Sequence, residues 1–303
     1  MVVRDPKQWI VDGLLLSVVT VWGFNFSIIK FVYRDINPLA FNALRFTVAS
    51  IAMILLMKWR GISFRVDPED RPAFLALGLI GHSIYQIFFM LGLERTKAGN
   101  AGLFMALTPI FAYLVGVAGR RERFSPSVMA GIFLSLIGVS VIVLFGSAEV
   151  SFAGTWVGDL LMIAAAVCWG AYSGGASRLA SKYGAVRLTV LTTVAGTAII
   201  VPVSAPWIVS QDWLSVSLPV WLGFLFATFG GIVYCYFIWA YALGRVGVAH
   251  TAIFANITPI IALLAGWMVL AEQLSMPQAA GVVLVLTGVF IVRALKPLPI
   301  PEE

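Results

Sequence analysis

A few polar and aromatic side chains, set within long apolar runs, are the residues of this chain that could do chemistry. His82, Tyr85, Gln86 and Phe89 recur at intervals of three and four, which puts them on one stripe of a helix. Tyr234, Tyr236 and Trp239 crowd a second run, GGIVYCYFIWAYALGR, and a constant offset of 150 matches Tyr236 to Gln86 and Trp239 to Phe89. Trp22 and Asn25 are matched in the same way, at an offset of 147, by Trp169 and Tyr172. Aromatic walls with a few hydrogen-bonding groups suit the recognition of a small molecule. The other reading is a packed aromatic core with satisfied hydrogen bonds. Trp22, Asn25, Trp169 and Tyr172 line a cavity or act as glue between helices; both readings stand. Asn100, His250 and Asn256 are weaker candidates, and a cap or interface role suits His250 and Asn100 near helix starts. Catalysis is not expected: an intramembrane enzyme needs a buried nucleophile, metal ligands or paired acids. The two histidines lie at different depths with no acid nearby, and Cys168 and Cys235 fit neither a metal spacing nor a disulfide framework. No metal and no cofactor is expected.

These residues must be carried by membrane helices. The chain has 303 residues, of which 60% are hydrophobic and 11% charged, against roughly 25% charged in soluble domains. Apolar runs of bilayer-spanning length recur throughout. Ten spans are predicted, over 9–31, 37–58, 72–93, 97–118, 126–146, 155–179, 185–207, 217–243, 247–270 and 276–295. The first run is too long for a signal-peptide core and no small-residue cleavage site follows it. The net charge of +6 is not a nucleic-acid footprint, because Lys and Arg sit in short loops rather than on a basic face. Fifteen of the 20 Lys and Arg residues fall on one side of the membrane. Lys30, Arg34, Arg95 and Lys97 fall on the other, and Arg45 alone lies within a span. The basic side is the cytoplasmic one, so both termini of this multi-pass chain are expected in the cytoplasm.

The chain is written twice. FMALTPIFAYLVGVAGRRERFSPSVMAGIFLSLIGV, from Phe104, aligns without insertion on FANITPIIALLAGWMVLAEQLSMPQAAGVVLVLTGV, from Phe254. Such duplication fixes an architecture. It predicts two five-span units, 1–148 and 149–303. Because five is odd, the second unit enters the membrane from the opposite side. The fold class is therefore all-α integral membrane, with ten transmembrane helices as two inverted five-helix repeats. Secondary transporters use this arrangement to build alternating faces around a midplane site.

Thr108-Pro109 and Thr258-Pro259 lie midway along the fourth and ninth spans. Pro109 and Pro259 are expected to kink their helices and free backbone carbonyls, either beside a substrate path or as structural bends. All 14 acidic residues are assigned to span ends or loops. Asp12 and Asp159 open their helices, where a carboxylate complements the helix dipole; Glu122 and Glu272 follow the fourth and ninth spans. Arg45, about 12 Å into its helix, is expected to snorkel outward, with a contact to a substrate carboxylate as the alternative. Without an intramembrane charge, a net-neutral zwitterion is favoured over a cation or a phosphate ester. Gly131, Gly138, Gly281 and Gly288 permit close helix approach, so the fifth and tenth spans are read as scaffold or dimer surface.

These motifs resemble the drug/metabolite transporter superfamily in its ten-helix EamA-type branch. The shared pattern is Trp-Gly in the first helix of each unit (Trp22-Gly23, Trp169-Gly170), Thr-Pro in the fourth, an acidic residue, and Gly-x6-Gly-Val in the fifth. Within that branch the chain is similar overall to the YddG-type amino-acid exporters. The resemblance implies export of neutral or aromatic amino acids across the bacterial cytoplasmic (inner) membrane by alternating access. The alternatives are export of another metabolite or drug, or a channel. Expected partners are the small-molecule substrate and the lipid bilayer, with no nucleic acid and with a single chain sufficient. The cavity is expected between spans 1, 3, 4, 6, 8 and 9.

Overall fold

A computed structural model describes residues 8–96, 98–145, 154–261, 263–264 and 275–295. Among these, nine helices are long and apolar enough to cross a membrane. They are α1 (Gln8–Val32), α2 (Pro38–Trp59), α3 (Pro68–Arg95), α4 (Asn100–Ala118), α5 (Pro126–Leu144), α6 (Trp156–Tyr183), α7 (Ala185–Ser210), α8 (Leu218–Val246) and α10 (Met276–Ala294). The remaining segment, α9 (Val248–Ile261), is apolar and shorter within the described residues. Each predicted span has its helix, the ninth within its described part; α3, α6, α7 and α8 run a few residues further at their ends. Glu272, the far end of the ninth span, and Arg4, Lys7, Lys97 and Lys296 lie outside the described residues.

Local sequence starts several helices. Asn37 accepts from the amides of Leu39 and Ala40 ahead of Pro38, and Ser125 accepts from Val128 ahead of Pro126. Ser275 and Gln278 form a reciprocal capping box. Such caps are worth about 1 kcal/mol each, and a proline in the first turn gives up no helical bond.

The two halves meet around a pseudo-two-fold axis, and three contacts mark it. Gln86 donates to the Tyr236 hydroxyl at 2.8 Å, exactly one repeat of 150 away. The hydroxyls of Ser50 and Thr197, 147 residues apart, share a 2.8 Å hydrogen bond. The Trp22 and Trp169 rings, at the same offset, pack edge to face at 5.8 Å. Residues equivalent in the repeat touch one another only where an axis passes between them.

The α5–α10 pair fixes the axis direction. Gly131 packs on the backbone of Gly288, and Gly138 on that of Gly281. Numbers rise along one helix as they fall along the other, so the two equivalent helices are antiparallel and the repeats are inverted. The four glycines lie in the seam between them, as scaffold.

The ends carry a second symmetric pair. Asp12 of α1 accepts from His250 of α9 at 2.7 Å and pairs with Arg293 of α10 at 2.5 Å. Its equivalent, Asp159 of α6, accepts from Asn100 of α4 at 2.9 Å and from Thr96 and Thr155. These carboxylates thus bind the fourth helix of the other half and do not simply complement their own helix ends. Both lie near helix starts, as expected, and both are buried. Glu122, also buried, accepts from the amides of Val248 and Ala249 at 2.7 and 3.1 Å and so caps α9.

Candidate functional site

A cavity of about 90 Å³, open to the centre of a water-sized sphere, lies where the halves meet. By that measure roughly 10–15 Å³ holds one water, so there is room for a small organic solute once side chains adjust. Its wall takes Trp22, Asn25 and Phe26 from α1, Arg45 from α2, and Tyr85, Gln86 and Phe89 from α3. Helix α4 adds Gly102, Met105, Ala106 and Thr108, and α6 adds Trp169. Gly231, Ile232 and Tyr236 of α8 and Ala255, Thr258 and Pro259 of α9 complete it.

Helix irregularities shape this wall. Helix α3 widens into a π-helix over Leu79–Ile84, and α8 does so over Phe226–Tyr234, at the matching place in the second repeat. Such wide turns recur at functional sites. Helix α4 breaks at 106–107 and restarts at Thr108; α9 tightens to a 3₁₀ turn over Phe254–Ile257 before Thr258. Each proline is thus the second residue of a restarted half-helix, a sharper break than the expected kink. Without an amide hydrogen on Pro109, the Met105 carbonyl loses its helical donor. Pro259 lines the cavity, whereas Pro109 is buried outside it.

The cavity is lopsided. Its residues on α1 and α3 come from the C-terminal halves of those helices, and those on α4 from the N-terminal half. All three lie toward the membrane face that α1 reaches at Val32. Toward the opposite face the repeat counterparts are packed shut. Tyr172, the counterpart of Asn25, stacks on Trp169 at 5.0 Å. Trp239, the counterpart of Phe89, is fully buried, donates to Ser173 at 3.0 Å and packs on Trp22 at 5.1 Å. His82 meets Thr192 at 3.1 Å, Phe254 stacks on His250, and Asn256 donates to Ser135 at 3.0 Å. Close aromatic pairs of this kind contribute about 0.5–1.5 kcal/mol each beyond area burial.

Of the residues singled out from the sequence, Trp22, Asn25, Tyr85, Gln86, Phe89, Trp169, Tyr236 and Pro259 surround the cavity. His82, Tyr172, Trp239, Phe254 and Asn256 lie in the closed half. His82 leaves the stripe of Tyr85, Gln86 and Phe89 because the wide turn ends the 3.6-residue register. Phe104 is half-buried beside Met105 without lining the space. Tyr234 is a correction: it is 41% exposed on the outer surface, bonded to Ser17 at 2.7 Å. Two residues from Tyr236 it faces the other way, as helical geometry requires.

Arg45 is the larger correction. It does not snorkel: it is 3% exposed and lines the cavity. Nη2 donates to Gln86 Oε1 at 2.8 Å and Nε to Asn42 Oδ1 at 3.2 Å. The Phe41 and Phe46 rings flank the guanidinium at 5.1 and 5.7 Å. The cavity therefore holds a positive charge, against the expectation of none, and α2 joins the expected lining helices. Phe26, one turn from Trp22, was legible as a neighbour on the same stripe; Ile232, Ala255 and Met105 carry no sequence signal that separates them from core.

Two inverted halves enclosing a cavity within the membrane define a membrane transport protein. The chain belongs to the EamA-like transporter family, whose pattern matches residues 9–144 and again 156–294. It is 33% identical over 290 residues to an uncharacterized transporter of Archaeoglobus fulgidus, covering 94% of this chain and 98% of that one. It is 28% identical to a probable amino-acid metabolite efflux pump of Escherichia coli (92% and 94% covered). It is 26% identical to a probable terminal-alkyne amino-acid exporter of Streptantibioticus cattleyicolor (93% and 92% covered). A solved crystal structure shares the fold at a TM-score of 0.78 and 20% identity, covering 94% of this chain and 96% of the other. The protein is thus an integral membrane transporter of the EamA superfamily, and its family and relatives are transporters rather than enzymes.

Proposed function

We propose that this transporter exports neutral and aromatic amino acids across the bacterial cytoplasmic membrane by alternating access. In this reading the units 1–148 and 149–303 work as one chain, without a second copy, and both termini are cytoplasmic. The observation that carries it is the lopsided cavity: one half holds the space, and its repeat counterpart is packed shut. Inverted repeats give two such arrangements by exchanging conformations, and a packed half suits a carrier better than a continuous pore. With cytoplasmic termini, the half that holds the cavity lies toward the outer face. The aromatic wall supplies the apolar surface that a side chain such as that of phenylalanine or methionine requires. One relative is named a probable terminal-alkyne amino-acid exporter and another a probable amino-acid metabolite efflux pump, which supports the substrate class.

Reconstitution in liposomes tests the reading. Purified protein is expected to move methionine, threonine or phenylalanine well above an empty-vesicle background. Failure with all three removes the amino-acid reading and leaves export of another metabolite.

A further inference from the structure

We infer that Arg45 is the anion anchor of the cavity and that the cargo must present a free carboxylate to it. This deepens the substrate reading above and rests on the cavity being the substrate site.

The argument starts from an unbalanced charge. Arg45 is almost wholly buried, and its guanidinium is always protonated. Among the described residues no Asp or Glu lines the cavity, and both of its described hydrogen-bond partners, Asn42 and Gln86, are neutral. Nη1 has no hydrogen-bond partner among the described residues. A buried charge without a counter-charge is costly, and a guanidinium presents a planar fork that fits a carboxylate. The second repeat offers no matching cation: at an offset of 147, Arg45 corresponds to Thr192. The cavity is therefore positive on one wall only.

Two more lining residues keep an unpartnered buried atom among the described residues: Asn25 Oδ1, an acceptor, and Thr108 Oγ1. A donor that takes an anion, an acceptor that takes an N–H and a hydroxyl that does either form the complement of an α-amino carboxylate. Aromatic faces of Trp22, Tyr85, Phe89 and Trp169 remain for the side chain. The carboxylate is assigned to Arg45 and the amino group to the Asn25 side.

The test is direct binding to the purified protein, read by calorimetry. The probes are L-phenylalanine, L-methionine, L-phenylalaninamide, which lacks the carboxylate, and 3-phenylpropanoate, which lacks the amine. Carboxylate-bearing probes are expected to bind the wild type at least tenfold more tightly than the amide. Arg45→Gln should lose at least tenfold for the carboxylates and nothing for the amide, with Arg45→Lys intermediate. If the variants fail to fold, the wild-type ratio of phenylalanine to its amide still decides. Equal affinity for that pair overturns the proposal while leaving amino-acid export standing. Binding of 3-phenylpropanoate but not of the amino acids, lost in Arg45→Gln, supports the anchor and removes the amino-acid reading. Absence of binding by every carboxylate overturns the proposal.

Discussion

Replacing Gly138 by alanine is expected to prise apart the α5–α10 seam. A β-carbon at that position would stand 2.6 Å from the Val285 amide nitrogen and 2.7 Å from the Gly281 carbonyl oxygen. Both are backbone atoms, which no rotamer change can move. Reaching ordinary contact near 3.4 Å requires the helices to separate by several tenths of an ångström along the seam. Overpacking of this kind costs about 1–3 kcal/mol. Gly288 meets the Gly131 carbonyl and the Ser135 amide in the same seam, so separation forced by one substitution makes room for the other. Gly138→Ala and Gly288→Ala should each destabilise by that amount, and the double variant by less than the sum. Unfolding in detergent, followed by circular dichroism, measures all three. Unchanged stability of Gly138→Ala would refute the tight seam; strict additivity would refute a rigid separation shared along it.

Four further outcomes are expected. Glu122→Ala should cost about 0.5–2 kcal/mol by leaving the first amides of α9 uncapped, measurable in the same unfolding assay. Burial holds the Glu122 carboxyl above its usual range, against the opposing hydrogen bonds from Ala249 and Val248. Its contribution to stability is therefore present in acid and lost as pH rises through the raised value, and Glu122→Gln should remove that slope while keeping an acceptor for the α9 amides. In vesicles, Tyr85→Ala and Trp169→Ala should lower transport severalfold in protein that still folds, although Trp169→Ala also costs about 3–5 kcal/mol because its buried ring packs on Tyr85, Tyr172, Tyr236 and Trp239; unchanged transport in both would put the path elsewhere. Finally, a thiol reagent should label Phe89→Cys in the open half much faster than Trp239→Cys in the closed half, and equal rates would contradict the lopsided cavity.

Much of the architecture was legible because lipid enforces it. Helix positions follow from apolar length, and inversion follows from an odd helix count written twice. The glycine seam was readable as small residues on one face. What the linear pattern lacked was partner identity. Arg45 at its depth is compatible with reaching either headgroups or a cavity, and only the packing of α2 against α3, which brings Gln86 within 2.8 Å, decides between them. Asp12 and Asp159 near helix starts look like dipole partners until the opposite half supplies His250 and Asn100. Repeat symmetry also suggested that matched residues share one environment. Asn25 and Tyr172 do not, because one conformation opens one half and packs the other.

The bond between Gln86 and Tyr236 joins positions that the pseudo-symmetry interchanges. Should the halves trade shapes, such a bond maps onto itself: whichever mouth is open, it is still there. Arg45, held by Gln86, lies beside this stationary point. When the halves exchange, Arg45 passes to the packed side and its counterpart Thr192 to the other, so a cargo gripped at Arg45 would be let go as the doors on either side changed places.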